Sequence, residues 1–153
     1  MTLIVVLSSR VGADGVLLID DQFAPMHDKI VAAVRAITEQ PVKMLLNTHW
    51  HGDHTGGNEL FAGSGVLIVA HDNVRTRMSS SHFSSFFRSE SPPSPPAALP
   101  VVTFDSAVTL HINDMTIHAQ HVPPGEYDAE WGDGFIRPDQ WVALVYDLVV
   151  AGQ

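Results

Sequence analysis

Three histidines fall within six residues in Thr48-His49-Trp50-His51-Gly52-Asp53-His54, and no other stretch of this 153-residue chain gathers as much chemically capable material. In locally extended backbone, side chains two apart project to the same side. His49 and His51 can therefore converge on one ion, while a turn at Gly52 can aim Asp53 and His54 at a neighbouring point. Imidazole and carboxylate ligands without thiolate suit zinc, with iron or manganese as alternatives. A site that the protein leaves incompletely filled holds a water whose pKa the ion lowers toward about 7. The chemistry implied is hydrolysis. Solvated loop histidines are the plainer reading, but an aspartate and three imidazoles at this spacing argue for a built site. Thr55-Gly56-Gly57-Asn58 follows at once, and its two glycines permit tight backbone turns there.

The elements that must carry this cluster can be read from hydrophobic pattern. Leu3 to Leu7 and Val16 to Ile19 are strand-like runs separated by the turn-rich Gly12-Ala-Asp-Gly15, which predicts a hairpin. Ile30, Val34 and Ile37 form the stripe of an amphipathic helix over Met26 to Thr38, stopped by Pro41. Val42 to Asn47 suits a buried strand, so the histidines begin where a strand ends. Helical turns are expected over Glu59 to Ala62, a strand over Val66 to Val69, and a short helix over Asp72 to Met78 with Asp72 as its N-cap. Residues 79 to 100 change character to serine, phenylalanine and proline and predict a long excursion within one domain spanning 1–153. Its phenylalanines either rim a pocket or staple the loop to the body. Val108 to His111 and Met115 to His118 flank Asn113-Asp114 as a second hairpin, and Trp141 to Tyr146 reads as a last strand. Strands alternating with helices early and pairing as hairpins later predict a mixed α/β sheet structure with helices packed on it.

Composition narrows the function classes. Eight Lys+Arg against 17 Asp+Glu give a formal charge of −9, with no basic run to offset it, so nucleic acid and anionic membrane surfaces are excluded as expected partners. A hydrophobic fraction of 45% supports a folded core. With no cysteine, disulfides, thiolate metal sites and a cysteine nucleophile are all excluded. No G-x-S-x-G elbow is present to support a serine hydrolase, and Gly63-Ser64-Gly65 reads as a turn. The first residues lack the basic region and cleavage site of a signal peptide, and no apolar stretch approaches the length of a membrane span, which leaves localisation unassigned.

Thr-His-Trp-His-Gly-Asp-His-Thr-Gly-Gly-Asn resembles the T-H-x-H-x-D-H signature of the metallo-β-lactamase superfamily, and Gly15-Val-Leu-Leu-Ile-Asp-Asp resembles that family's early hairpin. The similarity runs from about Val11 to Pro124 and is thinner afterward. It implies an αβ/βα sandwich, two sheets with helices outside and metal at the sheet edges. His49 and His51 would bind a first zinc, and Asp53 and His54 a second. Asp53 would also orient the hydroxide that attacks a carbonyl, which makes it the catalytic candidate. The substrate implied is a small acyl compound, a β-lactam, lactone, ester or thioester. A periplasmic or secreted location is compatible with the resemblance.

Two departures stand out. Relatives with a His-Val-Pro-Pro segment like His121 to Pro124 generally follow it with a histidine ligand, whereas this chain has Gly125, Glu126 and Tyr127, so Glu126 becomes the expected oxygen ligand. Asp147 fits the place of the family's metal-bridging aspartate, although Tyr146 stands before it instead of glycine. Family members normally continue through a second half that supplies another histidine ligand, and the sequence ends shortly after Asp147. An incomplete second half predicts an uncovered sandwich face that a homo-oligomer would cover. His71, His82, His111 and His118 remain as bare candidates for that further ligand, with His111 and His118, in the predicted hairpin strands, expected to pack or lie on the surface, and His121 is expected to support the site or be structural. The resulting expectation is a zinc-dependent hydrolase, with a catalytically impaired metal-binding or structural module as the alternative.

Overall fold

The computed structural model describes residues 8–84, 88–121 and 142–145. Strand β1 (Ser8–Gly12) turns at Ala13-Asp14 into β2 (Gly15–Ile19), every residue of which is buried. A continuous apolar run of this kind is what a strand needs when both sheet faces are covered. Helix α1 (His27–Ile37) follows a 3-10 turn at Ala24–Met26 and leads into β3 (Val42–Leu46), which pairs parallel with β2. The short helices α2 (Gly52–Thr55) and α3 (Asn58–Gly63) precede β4 (Leu67–His71), helix α4 (Asp72–Met78), the small hairpin β5 (His82–Ser84) and β6 (Ser89–Ser91), and β7 (Val102–Phe104). These strands form a sheet in the order β1-β2-β3-β4-β7, parallel from β2 onward. Strands β8 (Ala107–Ile112), β9 (Met115–His121) and β10 (Val142–Val145) form a second, antiparallel sheet in the order β10-β9-β8.

Alternation along the strands builds two apolar layers from one sheet. Val16, Leu18, Leu45 and Ile68 face Ile30, Val34 and Phe61 of the helices. Their neighbours Leu17, Leu46 and Val69 face Ile112, Ile117 and Ala119 of the second sheet. Each fully buried aliphatic side chain stabilises by ~1.5–3 kcal/mol relative to exposure, so the two layers hold helices and both sheets as one stack. At one end the two hairpin turns interlock. Asn113 and Asp114 take positive φ of 55° and 58°, the geometry of a tight hairpin turn, and Asn113 Oδ1 accepts from the Asp14 N–H at 2.9 Å. The Asn113 N–H donates back to Asp14 Oδ2 at 2.6 Å. A Cβ at Gly12 would lie 2.5 Å from the Asn113 side chain, so glycine is required there.

The second hairpin, the helix in the first half and the strand before the histidines agree with the sequence reading, as does the described part of the last strand, Val142–Val145; in the first hairpin the strand paired with β2 is Ser8–Gly12, and Leu3 to Leu7 lies outside the described residues. Three details differ. Ile37 is 71% exposed instead of completing the stripe, because α1 ends there and Thr38 is already extended. The N-cap of α4 is His71, whose Nδ1 accepts from the Asn73 N–H at 3.0 Å; Asp72 occupies the first turn, where its charge still favours the helix end. The serine- and proline-rich excursion contains β5 and β6, and β7, just beyond it, becomes an edge strand.

Candidate metal centre

Parallel strands carry their loops at one edge, and that edge collects the chemistry. β2 ends at Ile19 and releases Asp20 and Asp21; β3 ends at Leu46 and releases Asn47 to His54; β4 ends at His71, and β9 ends at His121. The pairing of Ile19 with Leu46 sets Asp20 beside Thr48 across the sheet edge. Asp20 is 2% exposed and holds a φ of 60°, a left-handed backbone that aspartate tolerates better than most residues. Its Oδ1 accepts from the Thr48 N–H at 2.8 Å, and its Oδ2 accepts from the Thr48 hydroxyl at 2.7 Å and from His54 Nδ1 at 2.8 Å.

This one carboxylate dictates two tautomers. His54 must carry its proton on Nδ1 to donate to Asp20, which puts the lone pair on Nε2. The Thr48 hydroxyl has given its proton to Asp20, so at 3.0 Å from His49 Nδ1 it accepts, and His49 too carries its proton on Nδ1. Burial pushes the His49 pKa down to about 3, and the neighbouring His54 and His51 rings add to the effect. Burial lowers His51 as well, with Asp53 opposing and His54 reinforcing the shift. Neutral imidazole is the form that binds a metal.

The rings of His49 and His54 lie 3.8 Å apart between centroids, and those of His49 and His51 4.9 Å apart. His54 Nε2 faces Asp53 Oδ2 at 3.5 Å, so the ring lies between the carboxylates of Asp20 and Asp53. The residues therefore fit a divalent metal in donor type. Among the described residues no group of three or more His, Cys, Asp or Glu side chains converges closely enough to hold an ion by itself. Glu126 and Asp147, the other expected ligands, lie outside the described residues.

Glycine permits the close packing behind the cluster. A Cβ on Gly56 would meet Gly52 O at 2.5 Å, Phe23 Cα at 2.8 Å and Gln22 O at 2.9 Å. The Gly57 N–H donates to Asp21 Oδ1 at 3.0 Å. The remaining histidines sort as packing or surface groups among the described residues. His71 stacks on His121 with centroids 4.1 Å apart and donates from Nε2 to Asp105 O at 2.6 Å. His111 and His118 pair with Thr116 and Thr109 across the β8–β9 hairpin. His82, from the excursion, lies 4.9 Å from the Trp50 ring, so β5 reaches the histidine loop. Sequence reasoning missed the supporting roles of Asp20, Thr48, Asn47 and Asn58. The signal available was Asp20-Asp21 placed directly after a wholly apolar strand.

The fold and this histidine-rich strand edge are those of a metal-dependent hydrolase class, and the profile described as the metallo-beta-lactamase superfamily matches residues 2–129. The chain belongs to that superfamily. Among solved structures, a metallo-beta-lactamase with a HARLDQ motif from Cronobacter sakazakii is similar at 21% identity and a TM-score of 0.65, covering 77% of this chain and 48% of its own. BJP-1, a subclass B3 metallo-beta-lactamase of Bradyrhizobium japonicum, is similar at 20% identity and a TM-score of 0.63, covering 77% and 46%. A B3 metallo-beta-lactamase with an active site glutamic acid is similar at 21% identity and a TM-score of 0.60, covering 77% and 46%. At these identities the likeness speaks for the fold. The chain spans about half the length of these structures. No curated protein matches.

Proposed function

We propose that the chain is a zinc-dependent hydrolase acting on a small acyl substrate, with a β-lactam ahead of a lactone, ester or thioester. The observation that carries this is the Asp20–Thr48–His49 and Asp20–His54 hydrogen-bond set, which fixes two histidine rings of the loop through their Nδ1 atoms. His49 and His51 would hold one ion and Asp53 and His54 a second, while Glu126 and Asp147 would complete the ligand set by family resemblance. Bound zinc supplies a Lewis acid and lowers the pKa of a coordinated water. Asp20 keeps the His54 ring turned by accepting from Nδ1, and Asp53 holds a carboxylate oxygen ready to accept a proton 3.5 Å from His54 Nε2. The Trp50 and His82 rings lie 4.9 Å apart, which sets the start of the excursion beside the histidine loop. A similar B3 metallo-beta-lactamase is described as having an active site glutamic acid, which is compatible with a glutamate ligand. The charge of −9 suits a neutral or zwitterionic substrate and no nucleic acid.

A second reading is a catalytically impaired metal-binding or structural module, compatible with the lack, among the described residues, of a converged group of three or more ligating side chains. The test is zinc titration calorimetry on chelator-treated protein, followed by turnover of chromogenic β-lactam, lactone and thioester substrates. Zinc uptake that His51→Ala abolishes, with turnover of one acyl class, is the expected result. Uptake without turnover supports the module, and no uptake by folded protein refutes both readings.

A further inference from the structure

His54 stands on α2, four residues long, and a helix of one turn cannot hold its own position. Its placement depends on bonds from outside. The His54 carbonyl accepts from the Asp21 N–H at 3.1 Å and from Asn47 Nδ2 at 3.0 Å. The Asn47 backbone is committed to the sheet, donating to Val69 O at 3.0 Å, so its side chain alone reaches the loop. Asn47 Oδ1 in turn accepts from Asn58 Nδ2 at 3.0 Å, and the same Nδ2 donates to Ala98 O at 2.9 Å. Both asparagines are 0% exposed. Asn58 Oδ1 is buried without a hydrogen-bond partner, yet the amide cannot be turned over, because its oxygen would then face Asn47 Oδ1 and Ala98 O. The residue is oriented by what its NH2 group feeds. Ala98 closes the 3-10 turn Pro96–Ala98 at the end of the serine- and proline-rich excursion.

We propose that Asn58, acting through Asn47, is a positioning residue for His54 that ties the placement of this ligand to the end of the excursion at Ala98. An NH2 group is the one neutral side-chain group here that can serve two oxygens, and a buried chain of hydrogen bonds transmits displacement because each bond is costly to lose. A shift of the Pro96–Ala98 turn then moves the His54 carbonyl through three hydrogen bonds in series. The inference rests on the proposed function only in treating His54 as a metal ligand.

The experiment compares Asn47→Ala, Asn58→Ala and the double variant. Imidazole nitrogen spectra of cation-free protein at about pH 8 report the His54 tautomer, and zinc titration reports affinity. Wild type is expected to show one Nδ1–H tautomer at His54. Either single variant is expected to mix tautomers and weaken zinc binding ~10-fold or more, within the range seen when support of a metal ligand is removed. The double variant should lose no more than Asn47→Ala alone. Additive losses in the double variant, or an unchanged tautomer and affinity in Asn58→Ala, overturn the relay. If Asn58→Ala fails to fold, Asn58→Ser keeps one donor and is expected to fall between wild type and Asn47→Ala; identity with wild type refutes the proposal. Wild type that takes up no zinc refutes the functional reading, while the tautomer comparison still decides the relay.

Discussion

Replacing Asp21 with asparagine should stabilise the protein at alkaline pH and destabilise it in acid. Asp21 is 0% exposed; its Oδ1 accepts from the Gly57 N–H and its Oδ2 has no partner. Burial, reinforced by the Asp20 charge and opposed by the Gly57 N–H, pushes its pKa up from 3.8 to about 8. The folded chain therefore keeps a proton that the unfolded chain has lost, and stability falls as pH rises from 3.8 toward 8. At ~1.4 kcal/mol per pH unit the loss reaches about 6 kcal/mol across this window. Asparagine is neutral throughout and keeps the acceptor for Gly57, but places an NH2 group where Oδ2 has no partner, costing about 1–3 kcal/mol.

The balance makes Asp21→Asn more stable than wild type by ~3–5 kcal/mol at about pH 8, with the two curves crossing at about pH 4.5–6. His49, with its pKa pushed down to about 3, and His51, also lowered, act in the opposite direction. Their contribution is complete above the ordinary imidazole pKa of about 6.5 and is lost as pH falls below it. Both proteins share that acid loss, so it cancels in the difference. Urea denaturation of chelator-treated wild type and variant at several pH values reads the difference directly. A difference that does not change with pH, or a variant weaker at every pH, refutes the protonated, buried state of Asp21.

Two further substitutions probe the packing and the tautomers. Gly56→Ala drives a Cβ into three backbone atoms between 2.5 and 2.9 Å away and should cost at least ~2 kcal/mol in thermal or urea unfolding. Gly63→Ala, with nothing within 4 Å of its Cβ, should leave stability unchanged or raise it by ~0.5–1 kcal/mol; similar losses at both positions would refute the steric account. Asp20→Asn retains only one acceptor for the Thr48 and His54 donors, so zinc affinity should fall ~10–100-fold in titration calorimetry with the fold retained. Undiminished affinity would mean that Asp20 does not set the ligand tautomers.

The contrast between what the sequence discloses and what it conceals follows from chain separation. His49, His51, Asp53 and His54 are neighbours in the chain, so their spacing after an apolar strand is visible as a site without any tertiary knowledge. The apolar run Val16 to Ile19 announces a strand buried on both faces for the same local reason. Asp20 meets His54 across 34 residues, and Asn58 meets Ala98 across 40. Nothing local marks those partners, because they are created by the parallel register that sets Ile19 against Leu46 and brings two strand ends to one edge. The α4 cap shows the same limit on a smaller scale: Asp72 has the better capping side chain, yet the strand delivers His71 to the cap position. Local spacing therefore identifies which side chains can take a metal, and strand register decides which of their nitrogens carries the proton. A zinc affinity that depends on Asp20 and Asn58 would show that the second kind of information, and not the motif alone, governs whether this edge works as a metal centre.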